Sequence, residues 1–265
     1  MKAQLIDLII QRLNKSKDHL QEQFFHVRRI KVSRYFVLDD FLPTEIAEKI
    51  YAEFPKPRQM RLLNSYGELK LKYNHIKHTS RLLQDFHQAI QTPSIIKIIE
   101  DITGIKNQLP DTSRLAGGVS ALLKGHYINP HLDNSHDVEK KFYRTVNLLY
   151  YVSPNWQPEN GGNYELWDEE VKNQIIVPNL FNRLIVMETN RTSWHSVNPV
   201  LCDAPRCCIF NYYFSAQSPE TVEYFHSAST LLFNRLIKAR PEQKIRRKIS
   251  HLRDVFLKRL GLKLI

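Results

Sequence analysis

Six short runs follow one another between residues 119 and 214 with no helical period between them. Residues 119–123, 144–152, 163–167, 174–177, 183–188 and 206–214 are rich in β-branched and aromatic side chains, and turn-forming stretches separate them. Strands at this spacing exclude a parallel sheet wound through crossover helices and leave an antiparallel sandwich or barrel. In such a sheet residues two apart share a face, so chemistry carried at that spacing is gathered on one side.

The flanks read differently. The first third reads as a helix, a short strand at Tyr35-Phe36-Val37-Leu38, then helices. Thr44 can cap a helix through Ile46, Ile50 and Tyr51; Thr92 followed by Pro93 opens another, which Gly104 stops. After Ser218 the chain turns helical again, broken by Pro241. There Ile245, Ile249, Leu252, Phe256 and Leu260 fall on one face of a basic helix. The expected division is a domain over 1–218, with helical support at 1–115 and a β core at 116–218, followed by a basic extension at 219–265.

Charge is concentrated in that extension. The chain carries 38 Lys and Arg against 27 Asp and Glu, a net +11, and all but two of those excess charges lie beyond Thr230. The expectations for the extension are packing on the barrel or peripheral contact with an anionic membrane. Nucleic acid is disfavoured, because no aromatic platform accompanies the charge. The three cysteines form no disulfide framework or zinc ribbon, and the amphipathic N-terminus lacks the unbroken apolar core of a signal peptide. A cytoplasmic protein, peripheral to a membrane at most, is the expectation. With 42% apolar residues the chain can bury a sizeable core.

The chemistry concentrates at Gly125-His126-Tyr127-Ile128-Asn129-Pro130-His131-Leu132-Asp133. In extended chain His131 and Asp133 point to one side and can offer an imidazole and a carboxylate to one ion. A third ligand must come from elsewhere, and His195 lies downstream just after a strand, where a sheet folded back on itself can deliver it. His126 falls on the opposite face and His136 in a charged loop, so both read as loop or rim residues. Two His and one carboxylate on one face of an octahedral metal leave three positions open, the arrangement of non-haem Fe(II) oxygenases. Arg206 can then clamp a carboxylate with its two-pronged guanidinium.

The ordered series Gly125-x-Tyr127-x-x-Pro130-His131-x-Asp133, Arg144, Leu148-Leu149-Tyr150-Tyr151, Trp156, Gly161-Gly162, Asn182-Arg183-Leu184, His195-x-Val197-x-Pro199 and Arg206 through Tyr212-Tyr213-Phe214 resembles the Fe(II)/2-oxoglutarate dioxygenases, in their prolyl 4-hydroxylase-like branch. The resemblance implies an α+β chain with a mainly β core: a double-stranded β-helix, or jelly roll, with an N-terminal helical layer and a C-terminal helical extension. It places the iron ligands on His131, Asp133 and His195, and the 2-oxoglutarate carboxylate on Arg206 and Tyr151. Leu149 and Val197 stand beside that cosubstrate, and Arg144 faces substrate. The implied cofactors are Fe(II), 2-oxoglutarate, O2 and ascorbate.

The implied reaction is hydroxylation of an unactivated C–H bond. A prolyl residue of a protein or peptide is the first substrate expected; a free amino acid or a lipid- or glycan-linked small molecule is the second. Halogenation is disfavoured because Asp133 occupies the place a halide would need. The competing class is a non-oxygenase metal-dependent β-barrel protein or an anion-binding module. Two features depart from the family pattern or have no role in it. Leu122 stands where many prolyl hydroxylases have Tyr, and the pair Cys207-Cys208 has no assigned role.

Overall fold

A computed structural model describes residues 1–65, 67–111, 117–137, 139 and 141–218. The expected basic helix beyond Ser218 lies outside the described residues. Among the described residues, four α-helices, α1 (Lys2–Phe25), α2 (Thr44–Ala52), α3 (Arg81–Ile90) and α4 (Pro93–Thr103), accompany twelve strands. The strands are β1 (Tyr35–Leu38), β2 (Arg61–Asn64), β3 (Glu68–Tyr73), β4 (Leu109–Pro110), β5 (Gly118–Leu122), β6 (Tyr127–His131), β7 (Tyr143–Tyr151), β8 (Tyr164–Trp167), β9 (Gln174–Val177), β10 (Arg183–Glu188), β11 (His195–Val197) and β12 (Arg206–Ser215).

Every ladder is antiparallel, and the sheet runs β1-β10-β7-β12-β5-β3-β6-β11-β8-β9, with β2 on β3 and β4 on β12. β3 makes the sheet fold back on itself. Leu71 to Tyr73 pair with β5 of the larger layer, whereas Glu68 and Leu69 pair with β6 of the smaller one. The result is a jelly roll with two layers packed face to face.

Two apolar clusters hold it. The larger joins α1, α3 and α4 to the outer face of the larger layer, through side chains such as Leu5, Ile9, Phe86, Ile99, Leu148 and Ile209. On α1 the buried Leu5, Ile9, Leu13, Leu20 and Phe24 make the single stripe expected of a helix lying on a sheet. The smaller cluster lies between the layers and includes Leu122, Tyr151, Trp156, Leu166, Ile185 and Val197. Asn182, at φ 59, ties the layers' support together. Its Oδ1 accepts from the Leu42 amide at 3.0 Å and the Tyr150 hydroxyl at 2.8 Å, and its amide donates to the Leu42 carbonyl. Arg183 beside it holds the Asp39 carboxylate with both Nε and Nη2.

The helix boundaries at Thr92, Pro93 and Gly104 fall where the sequence marks them, with Gly104 in the left-handed region at φ 72. The reading of the first third as strand-then-helices needs correction, because the β2–β3 hairpin lies between α2 and α3 and joins the sheet. His195 follows β10 across a short turn, as the sequence suggests, and itself opens β11.

A candidate metal and cosubstrate site

A cavity of about 590 Å³ opens between the layers, lined by residues of seven strands, which alternate along β3, β7, β11 and β12. β6 delivers His131 at its last position, and β11 delivers His195 directly opposite in register. Their rings lie 4.2 Å apart between centroids. Asp133 sits just past the end of β6, with its two carboxylate oxygens 3.9 Å from His131 Nε2 and from His195 Nε2. The ligand atoms of the three side chains all lie within 4.8 Å of one another.

The orientation of both imidazoles is set by the same device. His131 Nδ1 lies 2.9 Å from the Asn129 carbonyl, and His195 Nδ1 lies 2.8 Å from the Ser193 carbonyl. A carbonyl can only accept, so Nδ1 carries the proton and the Nε2 lone pair of each ring is left facing the cavity. Burial pushes His195 down to about 4, helped by the neighbouring His131, so its ring is neutral and able to ligate. Burial alone would raise the Asp133 carboxyl. Arg144, 3.4 Å away, is the largest influence against it, and Asp133 is held below the usual range. Asn147 adds a hydrogen bond to Asp133 Oδ2 at 3.3 Å. Two imidazoles and an ionised carboxylate converging from one side suit a divalent first-row metal with open positions.

A second feature lies deeper. Tyr151 is four residues along β7 from Asn147, roughly 13 Å at strand rise. Arg206 is the first residue of β12, 3% exposed, with its guanidinium carbon 4.5 Å from the centre of the Tyr151 ring. Arg206 Nε and the Tyr151 hydroxyl are both buried without a hydrogen-bond partner, and Arg206 has no ion pair among the described residues. A buried cation without a carboxylate is costly unless a ligand supplies one. Burial also raises the Tyr151 phenol well above its ordinary value, against a smaller opposing pull from Arg206, so it remains an O–H donor.

Leu149 and Val197 line the cavity. Leu122, fully buried, pairs in register with Arg206. Cys208 faces the cavity while Cys207 faces the helices, and burial pushes their thiols up to about 11 and about 12. His136 is buried in the cavity wall but outside the three-ligand cluster, and Trp156 donates to the Gly161 carbonyl at 3.0 Å as a packing residue. The residues missed from sequence are Glu68, Lys70 and Lys72, which reach the cavity from β3. The signal was present as strict alternation in Glu68-Leu69-Lys70-Leu71-Lys72-Tyr73.

The sequence model of the 2OG-Fe(II) oxygenase superfamily matches residues 117–214, a stretch that contains all three candidate ligands, Tyr151 and Arg206. In structure the chain is similar to a Pseudomonas putida prolyl-4-hydroxylase, at 15% identity and TM-score 0.57 over 77% of this chain and 98% of that one. It is similar also to prolyl 4-hydroxylases from Phytophthora capsici, at 15% identity and TM-score 0.57 over 91% and 75% of the two chains. An oxidoreductase of the 2OG-Fe(II) oxygenase family from Burkholderia pseudomallei follows, at 12% identity and TM-score 0.52 over 78% and 92%. No curated protein matches the chain in sequence. At these identities the structural likeness speaks for the fold, and the match over 117–214 for the chemistry.

Proposed function

We propose that this chain belongs to the 2OG-Fe(II) oxygenase superfamily, whose sequence model matches residues 117–214, and that it hydroxylates a substrate C–H bond with His131, Asp133 and His195 holding Fe(II) and with Arg206 and Tyr151 anchoring 2-oxoglutarate. One observation carries the residue assignment. A three-ligand cluster and a buried, unpaired cation–phenol pair line the same cavity, spaced along one strand pair.

When bound, the iron supplies the redox chemistry by which dioxygen turns 2-oxoglutarate into succinate and CO2 and places one oxygen atom on the substrate. The chain's own residues position and exclude. His131 and His195 present Nε2 because backbone carbonyls fix Nδ1–H, and Asp133 stays ionised beside Arg144. Arg206 and Tyr151 donate to the far carboxylate of the cosubstrate, while Leu149 and Val197 keep water from its length. Arg144 faces the substrate side. The likeness to proteins named as prolyl 4-hydroxylases supports a prolyl residue of a protein or peptide as one substrate class; a free amino acid or other small molecule is the other.

The test is succinate formation by the purified protein with Fe(II), ascorbate and 2-oxoglutarate. Turnover without the true substrate, abolished by a chelator, is expected. Succinate no higher than in the protein-free control would overturn the reading.

A further inference from the structure

We propose that Lys72 and Arg144 form a subsite for an oxyanion of the substrate, a carboxylate or a phosphate, so that the molecule hydroxylated here is an acid. The inference rests on the reading of His131, Asp133 and His195 as metal ligands. It begins from β3, whose inward face carries three charges. Lys70 is neutralised by Glu68 at 2.7 Å. Lys72 has no such partner. Among the described residues it makes no ion pair, and its ammonium lies 5.1 Å from the centre of the Phe210 ring.

Arg144 stands on the neighbouring ring. Its guanidinium carbon is 3.9 Å from the centre of Tyr212, and Phe210 and Tyr212 are successive inward residues of β12 with centroids 6.2 Å apart. Its one ion pair among the described residues is with Asp133 at 3.4 Å, and its Nε is buried without a hydrogen-bond partner. An aromatic face attracts a cation but does not cancel its charge. Once Asp133 gives its charge to a metal, Arg144 loses most of its counter-charge. The cosubstrate offers little relief, because its far carboxylate belongs to Arg206 at the other end of the cavity.

Two cations, a compact ammonium and a planar fork, then face the same space beside the metal ligands. An oxyanion satisfies both, the fork through paired N–H donors and the ammonium as a point charge. A neutral amide or ester carbonyl would leave net positive charge buried in the wall, which is costly. Burial, with Lys70 adding to it, pushes Lys72 down to about 8, so it remains mostly charged at neutral pH and gains most from an anion.

The experiment uses the holoenzyme loaded with Mn(II) in place of iron and saturated with 2-oxoglutarate, which keeps Arg206 covered. Inorganic phosphate is followed by the paramagnetic relaxation of its 31P signal, and acetate in parallel by 13C. Saturable relaxation of one or both anions is expected, and the tighter of the two identifies the substrate's oxyanion. K72Q should weaken that anion by about tenfold or more, and K72R should restore most of the loss. Neutral trimethyl phosphate provides a comparison that needs no variant, and it should show no saturable relaxation. Equal affinity in K72Q, no saturable anion binding by the unaltered protein, or relaxation of trimethyl phosphate as strong as that of phosphate would overturn the proposal. Failure of the underlying oxygenase reading would appear separately, as absent succinate formation.

Discussion

Along β12, Cys207, Ile209 and Tyr213 turn toward the helices, while Arg206, Cys208, Phe210 and Tyr212 turn into the cavity. β7 divides the same way, with Val146, Leu148 and Tyr150 outward and Asn147, Leu149 and Tyr151 inward. β3 repeats the pattern with Leu71 against Lys70 and Lys72. The outer face is apolar, close-packed and hydrogen-bonded where it is polar. The inner face keeps buried polar atoms without partners at Arg206, Tyr151 and Arg144. One strand thus carries stabilising and functional residues in alternation, and the inner set costs folding energy that the outer set offsets.

The largest effect that can break this comparison comes from paired alanine substitutions. H131A should reduce Fe(II)-dependent succinate formation to background. It should lower metal affinity by more than the roughly 10–100-fold that removing a supporting partner alone costs. The metal-free protein should lose little stability, because the His131 side chain is 20% exposed. L148A on the outer face should do the opposite, costing about 2–5 kcal/mol of unfolding free energy while the folded fraction still makes succinate. Urea unfolding of both metal-free variants, with succinate assays alongside, decides it. Comparable destabilisation by the two would end the division of faces.

Replacing Arg206 sharpens the contrast. R206M should raise the 2-oxoglutarate requirement by about 2–4 kcal/mol, the scale of removing one partner from a desolvated charge pair. Without cosubstrate the same variant should be at least as stable as the unaltered protein, since it removes a buried cation that has no carboxylate partner. A 2-oxoglutarate titration and ligand-free denaturation measure the two halves. Marked destabilisation would mean that Arg206 is part of the packing rather than a clamp.

How far the sequence discloses these faces depends on strand length. β7 and β12 are nine and ten residues long, so their two-residue period is visible and already places Asn147, Leu149 and Tyr151 together. The helix ends at Thr92-Pro93 and Gly104 are local chemistry and equally legible. β11 is only three residues, too short to show any period, and the register that sets His195 opposite His131 is a tertiary fact. β3 was missed because Leu and Lys also recur in helices, so the alternation of charge in Glu68-Leu69-Lys70-Leu71-Lys72 was outweighed by its helical neighbours. That omission hid the Lys72 side of the cavity. No sequence pattern states that Arg206 lacks an acidic neighbour, because that depends on what the other strands present.

The smallest effect isolates a single hydroxyl on each face. Tyr151 and Tyr213 are both fully buried and differ in what their hydroxyls meet. Tyr213 donates to the Ile90 carbonyl at 2.5 Å, tying β12 to α3, whereas the Tyr151 hydroxyl has no partner. Phenylalanine keeps both rings, including the one that Arg206 lies over, so Y151F tests the O–H alone. Y151F should weaken 2-oxoglutarate by about 0.5–1.5 kcal/mol, one hydrogen bond's net worth. It should leave the ligand-free stability unchanged or slightly higher, because an unsatisfied buried hydroxyl is removed. The loss should be independent of pH across the working range, since burial keeps the phenol protonated well above its ordinary value. Y213F should lose a similar amount of folding free energy and none of the cosubstrate affinity. Cosubstrate titrations at two pH values and urea unfolding of both variants are the measurements. If Y151F destabilises the ligand-free fold while Y213F weakens 2-oxoglutarate, the two faces have been assigned the wrong way round.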